Sequence, residues 1–295
     1  MTTSVDWIAA DWGTSNMRLW AMAGDQIIDM RASDRGMAGL APADFPRVLA
    51  ELTAGWPDVP VVACGMVGAR QGWVEAPYTL APCPALPALI AAPGDRVVRI
   101  ACGVRQTAPA ADVMRGEETQ IAGFLAQNPG YDGVLCLPGT HTKWVHVSAG
   151  EICSFKTVMT GEIFALLATQ SVLRHSMTAD GMDAAAFEAA VADALSNPAQ
   201  AMAGLFAIRA QSLTQDLPAP AARARLSGTL IGVELAAARP WWLGQQVTLI
   251  GADYVADLYA KALQLQGVQA DRYDVARATL AGLAAAWAAY QKEAS

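Results

Sequence analysis

The sequence predicts an α/β protein with two domains. Short apolar runs, typical of buried strands, alternate with longer stretches of helical periodicity. The chain has 295 residues, whereas a domain commonly has roughly 150. A strand, a Gly-Thr pair and a second strand occur twice, around Gly13-Thr14 and Gly139-Thr140, which indicates two related halves. We therefore predict one domain over residues 1–132 and another over residues 133–295.

The first half opens with a strand at 8–10, a tight turn and an alternating strand at 17–21. A glycine-rich loop over 64–73 follows a short apolar run, as ligand loops do in α/β proteins. Residues 77–93 are rich in Pro and Ala and are predicted to be irregular, with a short helix at 88–92. The other predicted elements are strands at 26–32, 59–63 and 97–102, and helices at 42–52 and from the 112–120 segment to about 126.

The second half is mostly helical by the same patterns. A last helix, over 274–290, is expected to pack back on the first domain. The other predicted elements are strands at 133–137, 152–159 and 247–250, and helices at 161–173, 184–195, 199–213, 221–238 and 252–266.

Composition restricts the class of partner. The formal net charge of −7 argues against nucleic acid or an anionic membrane as the main partner, so an anionic substrate requires a few well-placed donors. Residues 1–6 lack the features of a signal peptide, and the Ala-rich stretch at 278–291 is too short to span a bilayer. The five cysteines are scattered, without a Cys-x-x-Cys pair, which is typical of reduced thiols in a cytoplasmic protein.

The first turn carries residues suited to phosphate binding. Gly13 allows close approach of the backbone to a ligand, and Thr14 and Ser15 offer hydroxyl and amide donors. Asp11, at the end of the strand, is suited to hold Mg²⁺ through water. The turn is equally compatible with an ordinary hairpin, and this alternative stays open on the stretch alone.

The common catalytic motifs are absent from the sequence. It contains no G-x-x-x-x-G-K-[ST] loop, no G-x-G-x-x-G fingerprint and no H-E-x-x-H. His141 and His146 are poorly spaced for a shared metal, so we expect structural roles for them. The sequence thus offers no support for the two commonest nucleotide-binding folds or for a zinc protease.

Several short runs carry a resemblance to a known family, in one order along nearly the whole chain. They are DWGTSN (11–16), GMVG (65–68), GW (72–73), PY (77–78), MRGEETQ (114–120), PGTHTKW (138–144), TVMTGE (157–162), LSG (226–228) and IG (231–232). In them the chain resembles the 2-dehydro-3-deoxygalactonokinase family, within the superfamily of acetate and sugar kinases, Hsp70 and actin. One departure is Thr14-Ser15, where the family often has Ser-Thr; both orders supply hydroxyl groups.

This resemblance implies two ribonuclease H-like (actin-like ATPase) domains with an ATP cleft between them. It implies transfer of the ATP γ-phosphoryl group, with Mg²⁺, to the 6-hydroxyl of 2-dehydro-3-deoxy-D-galactonate in galactonate catabolism. The expected partners are ATP and the sugar acid, with no nucleic acid and no membrane; a homodimer is an open possibility. Kinases of the gluconate epimer or another keto-deoxy acid, and a non-catalytic sugar-acid or nucleotide-binding regulator, remain the alternatives.

The resemblance also implies roles for individual residues. Glu117 is the first choice for the catalytic base and Glu118 the second; both also suit a helix N-terminus that simply favours acids. The implied phosphate ligands are Gly13, Thr14, Ser15, Gly139, Thr140 and Thr142, and Asp11 is the implied metal anchor.

The resemblance implies one set of residues for the sugar acid and another for adenosine. Residues implied for the sugar acid are Gly65, Met66, Val67, Gly68, Arg70, Trp73, Tyr78, Arg115 and Lys143, among which the three cations are candidates to pair with its carboxylate. Residues implied for adenosine are Ser227, Gly228, Gly232, Gly251 and Ala252. The alternatives are surface charge for the cations, core packing for Trp73 and close helix packing for the glycines.

Overall fold

The computed structural model describes residues 4–293; residues 1–3 of the N-terminal segment considered above lie outside that range. Sheets flanked by helices confirm the predicted α/β class. The strands are β1 (Trp7–Trp12), β2 (Met17–Ala23), β3 (Gln26–Ser33), β4 (Val61–Cys64), β5 (Tyr78–Leu80), β6 (Cys83–Pro84), β7 (Leu89–Ala91), β8 (Val98–Ala101), β9 (Gly103–Gln106), β10 (Asp112–Met114), β11 (Gly133–Leu137), β12 (Thr142–Ser148), β13 (Glu151–Val158), β14 (Val247–Gly251) and β15 (Asp271–Asp274). The helices are α1 (Phe45–Leu52), α2 (Glu117–Gln127), α3 (Thr160–Thr169), α4 (Ala184–Ser196), α5 (Pro198–Ala203), α6 (Phe206–Thr214), α7 (Ala219–Ala237), α8 (Arg239–Trp242), α9 (Asp253–Gln264) and α10 (Val275–Glu293), with short 3₁₀ turns at Met37–Gly39, Pro42–Asp44, Met66–Gly68 and Val172–Ser176.

Contacts divide the chain into two compact units. Unit 1 contains the described parts of Met1–Asp132, Val147–Phe155 and Val275–Ser295. Unit 2 contains Gly133–His146 and Lys156–Asp274.

Unit 1 is built on a sheet of order β3-β2-β1-β4-β8-β7. β1 runs antiparallel to β2 and parallel to β4, and β4 runs parallel to β8. One face packs on α1 through a core that includes Phe45, and the other packs on α10, where Trp7 stacks on Trp287 at 5.5 Å between ring centroids. Because β1 and β4 are parallel neighbours, with Asp11 opposite Cys64, the loops that follow both strands begin at the same edge.

Helix α2 is fixed to α10 by two glycines. A Cβ atom at Gly123 would lie 1.9 Å from the Ala278 carbonyl oxygen, and one at Gly282 would lie 1.9 Å from the Thr119 carbonyl oxygen. The two helix backbones therefore touch, at a separation that any larger residue would prevent. This contact sets the position of α2 in unit 1.

The second large sheet contains the strand order β15-β14-β11-β12-β13, of which β15, β14 and β11 lie wholly in unit 2. β11 is parallel to β14, and β14 is parallel to β15. Only four residues join β11 to β12, too few for a parallel crossover, so this pair is a hairpin. Counted from β11, the order matches that of unit 1 counted from β1, in agreement with the repeat seen in the sequence.

The structure differs from the predicted elements in the Pro- and Ala-rich part of unit 1. Residues 88–92, predicted as a short helix, contain strand β7, which pairs antiparallel with β8. Sheet pairing outweighs the helical preference of alanine here. Strands β5, β9 and β10 form a small separate sheet. The sequence did not predict this sheet, because each strand is only three or four residues long and too short to show a periodic pattern. Among residues 4–293, no helix is both long enough and apolar enough to cross a membrane.

Candidate active site

The turn after β1 is fixed by a hydrogen bond within the hairpin and by contacts with residues 36–38. The Gly13 N–H donates to the Asn16 carbonyl at 2.9 Å, and the Thr14 carbonyl accepts the Ala38 N–H at 3.0 Å. Gly36 lies so close that a Cβ there would be 2.2 Å from the Thr14 carbonyl oxygen. Thr14 and Ser15 stay exposed. The turn is therefore fixed by its backbone while both hydroxyls face solvent.

Asp11 lies beneath this turn and is paired with Arg18. Its Oδ2 accepts from Arg18 Nη2 at 2.6 Å and from Nε at 3.3 Å. Its Oδ1 lies 3.9 Å from the Cys64 thiol, a weak donor. The Asp11 side chain is 23% exposed. Oδ1 therefore keeps the capacity to accept a hydrogen bond from a metal-bound water.

Two glycines bring the next loops against β1. Gly65 has φ +91° and Gly116 has φ +100°, a region that favours glycine. A Cβ at Gly65 would lie 2.9 Å from the Trp12 carbonyl oxygen, and a Cβ at Gly116 would lie 3.4 Å from the Gly65 Cα. The start of α2 is thereby packed on the loop after β4, next to the end of β1.

The two acids that begin α2 have different environments. Glu118 is fully buried; its Oε2 accepts the Gly116 N–H at 2.6 Å and its Oε1 accepts the Thr119 hydroxyl at 3.0 Å. Burial, and then the charge of Glu117, raise the pKa of Glu118 to about 8. Glu117 is half-buried and its Oε2 accepts the Arg115 N–H at 3.1 Å. At neutral pH, Glu118 is thus mostly protonated and inaccessible, whereas Glu117 reaches solvent.

Arg115 carries unmet hydrogen-bonding capacity. Its Nη2 donates to the Ala76 carbonyl at 2.6 Å, and its guanidinium carbon lies 4.4 Å from the centroid of the Tyr78 ring. Its Nε and Nη1 are buried and have no hydrogen-bond partner within residues 4–293. Unpaired buried donors typically cost about 1–3 kcal/mol each, so an anion that reached them would be stabilised. Because both atoms are covered, such an anion requires a shift of the surrounding loop.

The loop after β4 divides into buried and exposed residues. Val67 is fully buried, and Trp73, 6% exposed, packs on Trp12 and Phe45 in the core. The side chain of Arg70 is 81% exposed and lies 3.7 Å from Glu75. Trp73 and Val67 therefore pack in the core of unit 1, which for Trp73 is the alternative stated above. Met66 is half-buried, and Gly68 packs on Arg115 Nη1.

Unit 2 contains a matching turn between β11 and β12. Gly139 and Thr140 are exposed, and the Thr140 carbonyl accepts the Glu162 N–H at 2.9 Å. A Cβ at Gly161 would lie 2.2 Å from the Gly139 carbonyl oxygen, so the start of α3 touches the turn. His141 Nε2 lies 2.6 Å from Glu162 Oε2, a second link between turn and helix. As in unit 1, the turn is held by its own backbone, here through contacts with the start of α3.

Thr142 and Lys143 lie under the turn. Thr142 is fully buried and its hydroxyl lies 2.9 Å from that of Tyr259. Lys143 is 4% exposed and its Nζ donates to the His141 carbonyl at 3.0 Å. Both side chains therefore have partners inside the protein: Thr142 contacts Tyr259, and Lys143 supports the turn from inside.

A cavity of about 330 Å³ opens beside this turn, within unit 2. This volume is in the range of small-molecule pockets, about 300–1,000 Å³. Gly139 and Thr140 line one end, and the guanidinium of Arg223 lies 5.0 Å from the Phe164 ring, which also lines it. The remaining lining residues are Thr160, Gly161, Met182, Ser227, Leu230, Ile231, Tyr254, Val255, Leu258 and Tyr259.

Comparison with known proteins decides the family. A profile described as 2-keto-3-deoxy-galactonokinase matches residues 11–286, which contain every candidate site residue above. The chain belongs to this family. This confirms the resemblance seen in the sequence.

Individual proteins similar to this chain support the same family. A protein of Rhizobium meliloti strain 1021 named "probable 2-dehydro-3-deoxygalactonokinase" is 40% identical, over 97% of this chain and 98% of that protein. The 2-dehydro-3-deoxygalactonokinase of Escherichia coli K12 is 35% identical, over 88% and 90%. A crystal structure from Sinorhizobium meliloti has TM-score 0.91 and 40% identity, over 96% of this chain and 99% of the other. The activator of 2-hydroxyisocaproyl-CoA dehydratase from Clostridium difficile has TM-score 0.52 at 12% identity, over 97% and 96%, a likeness of fold alone.

The residues expected at adenosine in this family member lie in two places. Ser227 lines the cavity. Gly228 and Gly232 face α4 instead, where a Cβ would lie 2.6 Å from the Phe187 carbonyl oxygen and 2.7 Å from that of Val191. These close approaches are those of the helix-packing alternative stated above for the two glycines. Gly251 and Ala252 follow β14, where Gly251 packs on Pro138 and Ala252 is exposed.

Sequence reasoning missed several residues on one face of α7. Arg223 and Ile231 line the cavity together with Ser227, four residues away on either side, and Glu234 follows three residues later. Residues three and four apart share a helix face. This spacing was the available signal: from Ser227, one turn back along the same face reaches Arg223 and two turns forward reaches Glu234.

Proposed function

We propose that the chain is an ATP-dependent kinase that phosphorylates the 6-hydroxyl of 2-dehydro-3-deoxy-D-galactonate. The observation that carries the proposal is the family match over residues 11–286, which includes both Gly-Thr turns and the acids of α2. Relatives that carry the name of this activity support the substrate. The geometry supports a division of labour among the residues.

Glu117 is the proposed catalytic base. Its carboxylate reaches solvent, whereas Glu118 is buried and its pKa is raised to about 8, so that it is mostly neutral at pH 7. A base must come within hydrogen-bond reach of the hydroxyl that it deprotonates, and the accessibility of Glu117 supports it over the buried Glu118. Glu118 instead accepts the Gly116 N–H and so holds the first turn of α2.

The two braced turns are the proposed phosphate ligands. Gly13, Thr14 and Ser15 offer donors in unit 1, and Gly139 and Thr140 offer them in unit 2. Phosphoryl transfer depends mainly on position and charge stabilisation, which fixed backbone turns supply without reorganisation. The cavity beside Gly139 is the proposed adenosine site, with Ser227 among its polar groups.

Asp11 is the proposed anchor for Mg²⁺. No group of three or more His, Cys, Asp or Glu side chains suited to a metal occurs within the described residues. A single carboxylate still fits Mg²⁺, which usually keeps several waters and shares phosphate oxygens. The available Oδ1 of Asp11 fits this mode. When bound, the ion would neutralise phosphate charge.

Arg115 is the proposed partner of the sugar-acid carboxylate. Its buried Nε and Nη1 have no hydrogen-bond partner among the described residues, and charge-assisted hydrogen bonds to a carboxylate are stronger than neutral ones. Its contact with the Tyr78 ring supports a role for Tyr78 at the same proposed site. Arg70 is too exposed to provide comparable binding, because ion pairs at exposed sites are weak.

The proposal is tested by ADP release with ATP, Mg²⁺ and a panel of keto-deoxy sugar acids that includes both C4 epimers. We expect turnover with the galactonate-configured acid and a loss of at least about 100-fold in kcat for Glu117→Gln, with ATP affinity unchanged. Glu293→Gln, at the exposed end of α10, is the matched carboxyl-to-amide control and should retain full activity. Near-normal turnover of E117Q would refute the assignment of the base. ATP or sugar-acid binding without turnover of any acid would support a regulator instead.

A further inference from the structure

A buried carboxylate links four elements of unit 2. Glu234 of α7 is 1% exposed, and its Oε1 accepts the indole N–H of Trp144 in β12 at 2.8 Å. Its Oε2 accepts the hydroxyl of Tyr259 in α9 at 2.7 Å and also the hydroxyl of Thr160 in α3. A carboxylate satisfies three donors because it has only acceptor sites. Neither the family resemblance nor the proposed mechanism uses this residue.

The hydrogen bonds run in one direction. Tyr259 gives its hydroxyl hydrogen to Glu234, so its oxygen accepts from Thr142, 2.9 Å away. The chain from Thr142 through Tyr259 to Glu234 therefore requires an acceptor at its end. Burial raises the pKa of Glu234, and the three donors together with the charge of Lys156 oppose that shift.

The partners of Glu234 border the cavity and the turn. Thr160 and Tyr259 both line the cavity. Thr160 also begins α3, and the next residue, Gly161, touches the Gly139 carbonyl. Thr142 is the first residue of β12, directly after the turn. One carboxylate thus holds the cavity wall and both ends of the turn.

We propose that Glu234 is a positioning residue for the nucleotide: through Thr160 and Tyr259 it fixes the cavity wall and the Gly139–Thr140 turn. The inference rests on the proposed function, because that function assigns the cavity to adenosine and the turn to phosphate. Glu234 itself does not touch the nucleotide. Its removal should therefore weaken ATP binding while sparing the sugar-acid site, whose proposed residues belong to unit 1.

The test is Glu234→Gln, which keeps the shape and replaces one acceptor by a donor. Oε1 accepts one indole N–H and Oε2 accepts two hydroxyls. One orientation of the amide sets its NH2 group against the Trp144 N–H, and the other forces the hydroxyls of Thr160 and Tyr259 to reverse their hydrogen bonds. Hydrogen bonds to charged groups contribute enough that we expect about a 10-fold or greater rise in the ATP dissociation constant and KM. We expect the KM for the sugar acid to change by less than about 2-fold, because the sites share no residue.

Two further variants separate positioning from folding. Thr160→Val removes one donor and should raise the ATP KM, whereas Thr160→Ser keeps the hydroxyl and should restore it. Trp242→Phe is the matched control, because Trp242 of α8 is buried and its indole donates to the carbonyl of Leu235 in α7 at 2.8 Å. It should lower the unfolding midpoint without changing ATP affinity. If E234Q does not fold, Tyr259→Phe and Thr160→Val carry the same test.

Calorimetric ATP binding to the wild-type chain separates the outcomes. ATP binding without turnover of any sugar acid refutes the kinase proposal, and the ATP affinity of E234Q still tests the role of Glu234. Wild-type ATP affinity in E234Q and T160V overturns the inference while leaving the kinase intact. An equal loss of ATP affinity in W242F overturns it too, because the effect would then reflect general destabilisation. A wild-type chain that binds no ATP overturns both.

Discussion

Substitution of Glu118 by Gln should change how stability depends on pH. The pKa of the buried carboxyl is about 8 in the folded protein, against an ordinary value of 4.5. Between those values the folded state binds the proton more tightly than the unfolded state. The stabilisation from this proton is therefore complete below the lower pKa and is lost as pH rises through the upper one.

The size of the loss follows from the two pKa values. One pKa unit corresponds to about 1.36 kcal/mol, and Glu118 is fully buried, so solvent screening does not reduce the effect. Between pH 6 and pH 9 the wild-type chain should lose about 2.5 kcal/mol of unfolding free energy through this group. The side-chain amide of E118Q would mimic the protonated acid, because its oxygen can accept the Gly116 N–H and its nitrogen can donate to the Thr119 hydroxyl. The variant should lack this loss.

Urea unfolding at both pH values measures the difference. The wild type and Glu293→Gln should lose about 2.5 kcal/mol more than E118Q between pH 6 and pH 9. The Gly116 amide resonance, which reports on its bond to Glu118, should titrate in the wild type with a midpoint near pH 8. A titration midpoint of the Gly116 resonance near pH 4.5, or equal pH dependence of stability in wild type and E118Q, would refute the reasoning. Glu118 would then be ionised at neutral pH and would again be a candidate for the base.

Two further changes address the turns. Asp11→Asn should raise the Mg²⁺ concentration needed for half-maximal activity, because it removes the charge of the proposed anchor; an unchanged Mg²⁺ titration excludes that role. Gly161→Ala introduces a Cβ 2.2 Å from the Gly139 carbonyl oxygen. It should lower the unfolding free energy by about 1–3 kcal/mol and raise the ATP KM. Wild-type ATP KM in G161A would show that the turn does not depend on its contact with α3.

Sequence patterns revealed those parts of the molecule that depend on local order. The hairpin around Gly13, the start of α2 and the parallel strands all follow from periodicity, glycine placement and helix-favouring acids near one another in the chain. The strand β7 was missed because its partner β8, and not its own composition, determines its conformation. Alanine and proline at 85–93 suggested the opposite.

The candidate site was predicted unevenly for the same reason. The acids of α2 were identified, but their different burial was not, because Glu118 is enclosed by elements that are distant in sequence. The Glu234 cluster joins residues of β12, α3, α7 and α9, so no local run could reveal it. Gly228 and Gly232 belong to runs that carry the family resemblance, but only the structure shows that both pack closely on α4.

The contact of Gly123 with Ala278 has a consequence for the order of events during protein synthesis. The helix that carries Glu117 leaves the ribosome well before the helix that fixes it, and unit 2 is translated between them. Until α10 emerges, the Gly123 face of α2 and the Trp7 face of the sheet lack their partners. A nascent chain would thus complete its second unit while its first is still open. The position of Glu117, the proposed base, would therefore be fixed only when α10 docks on α2.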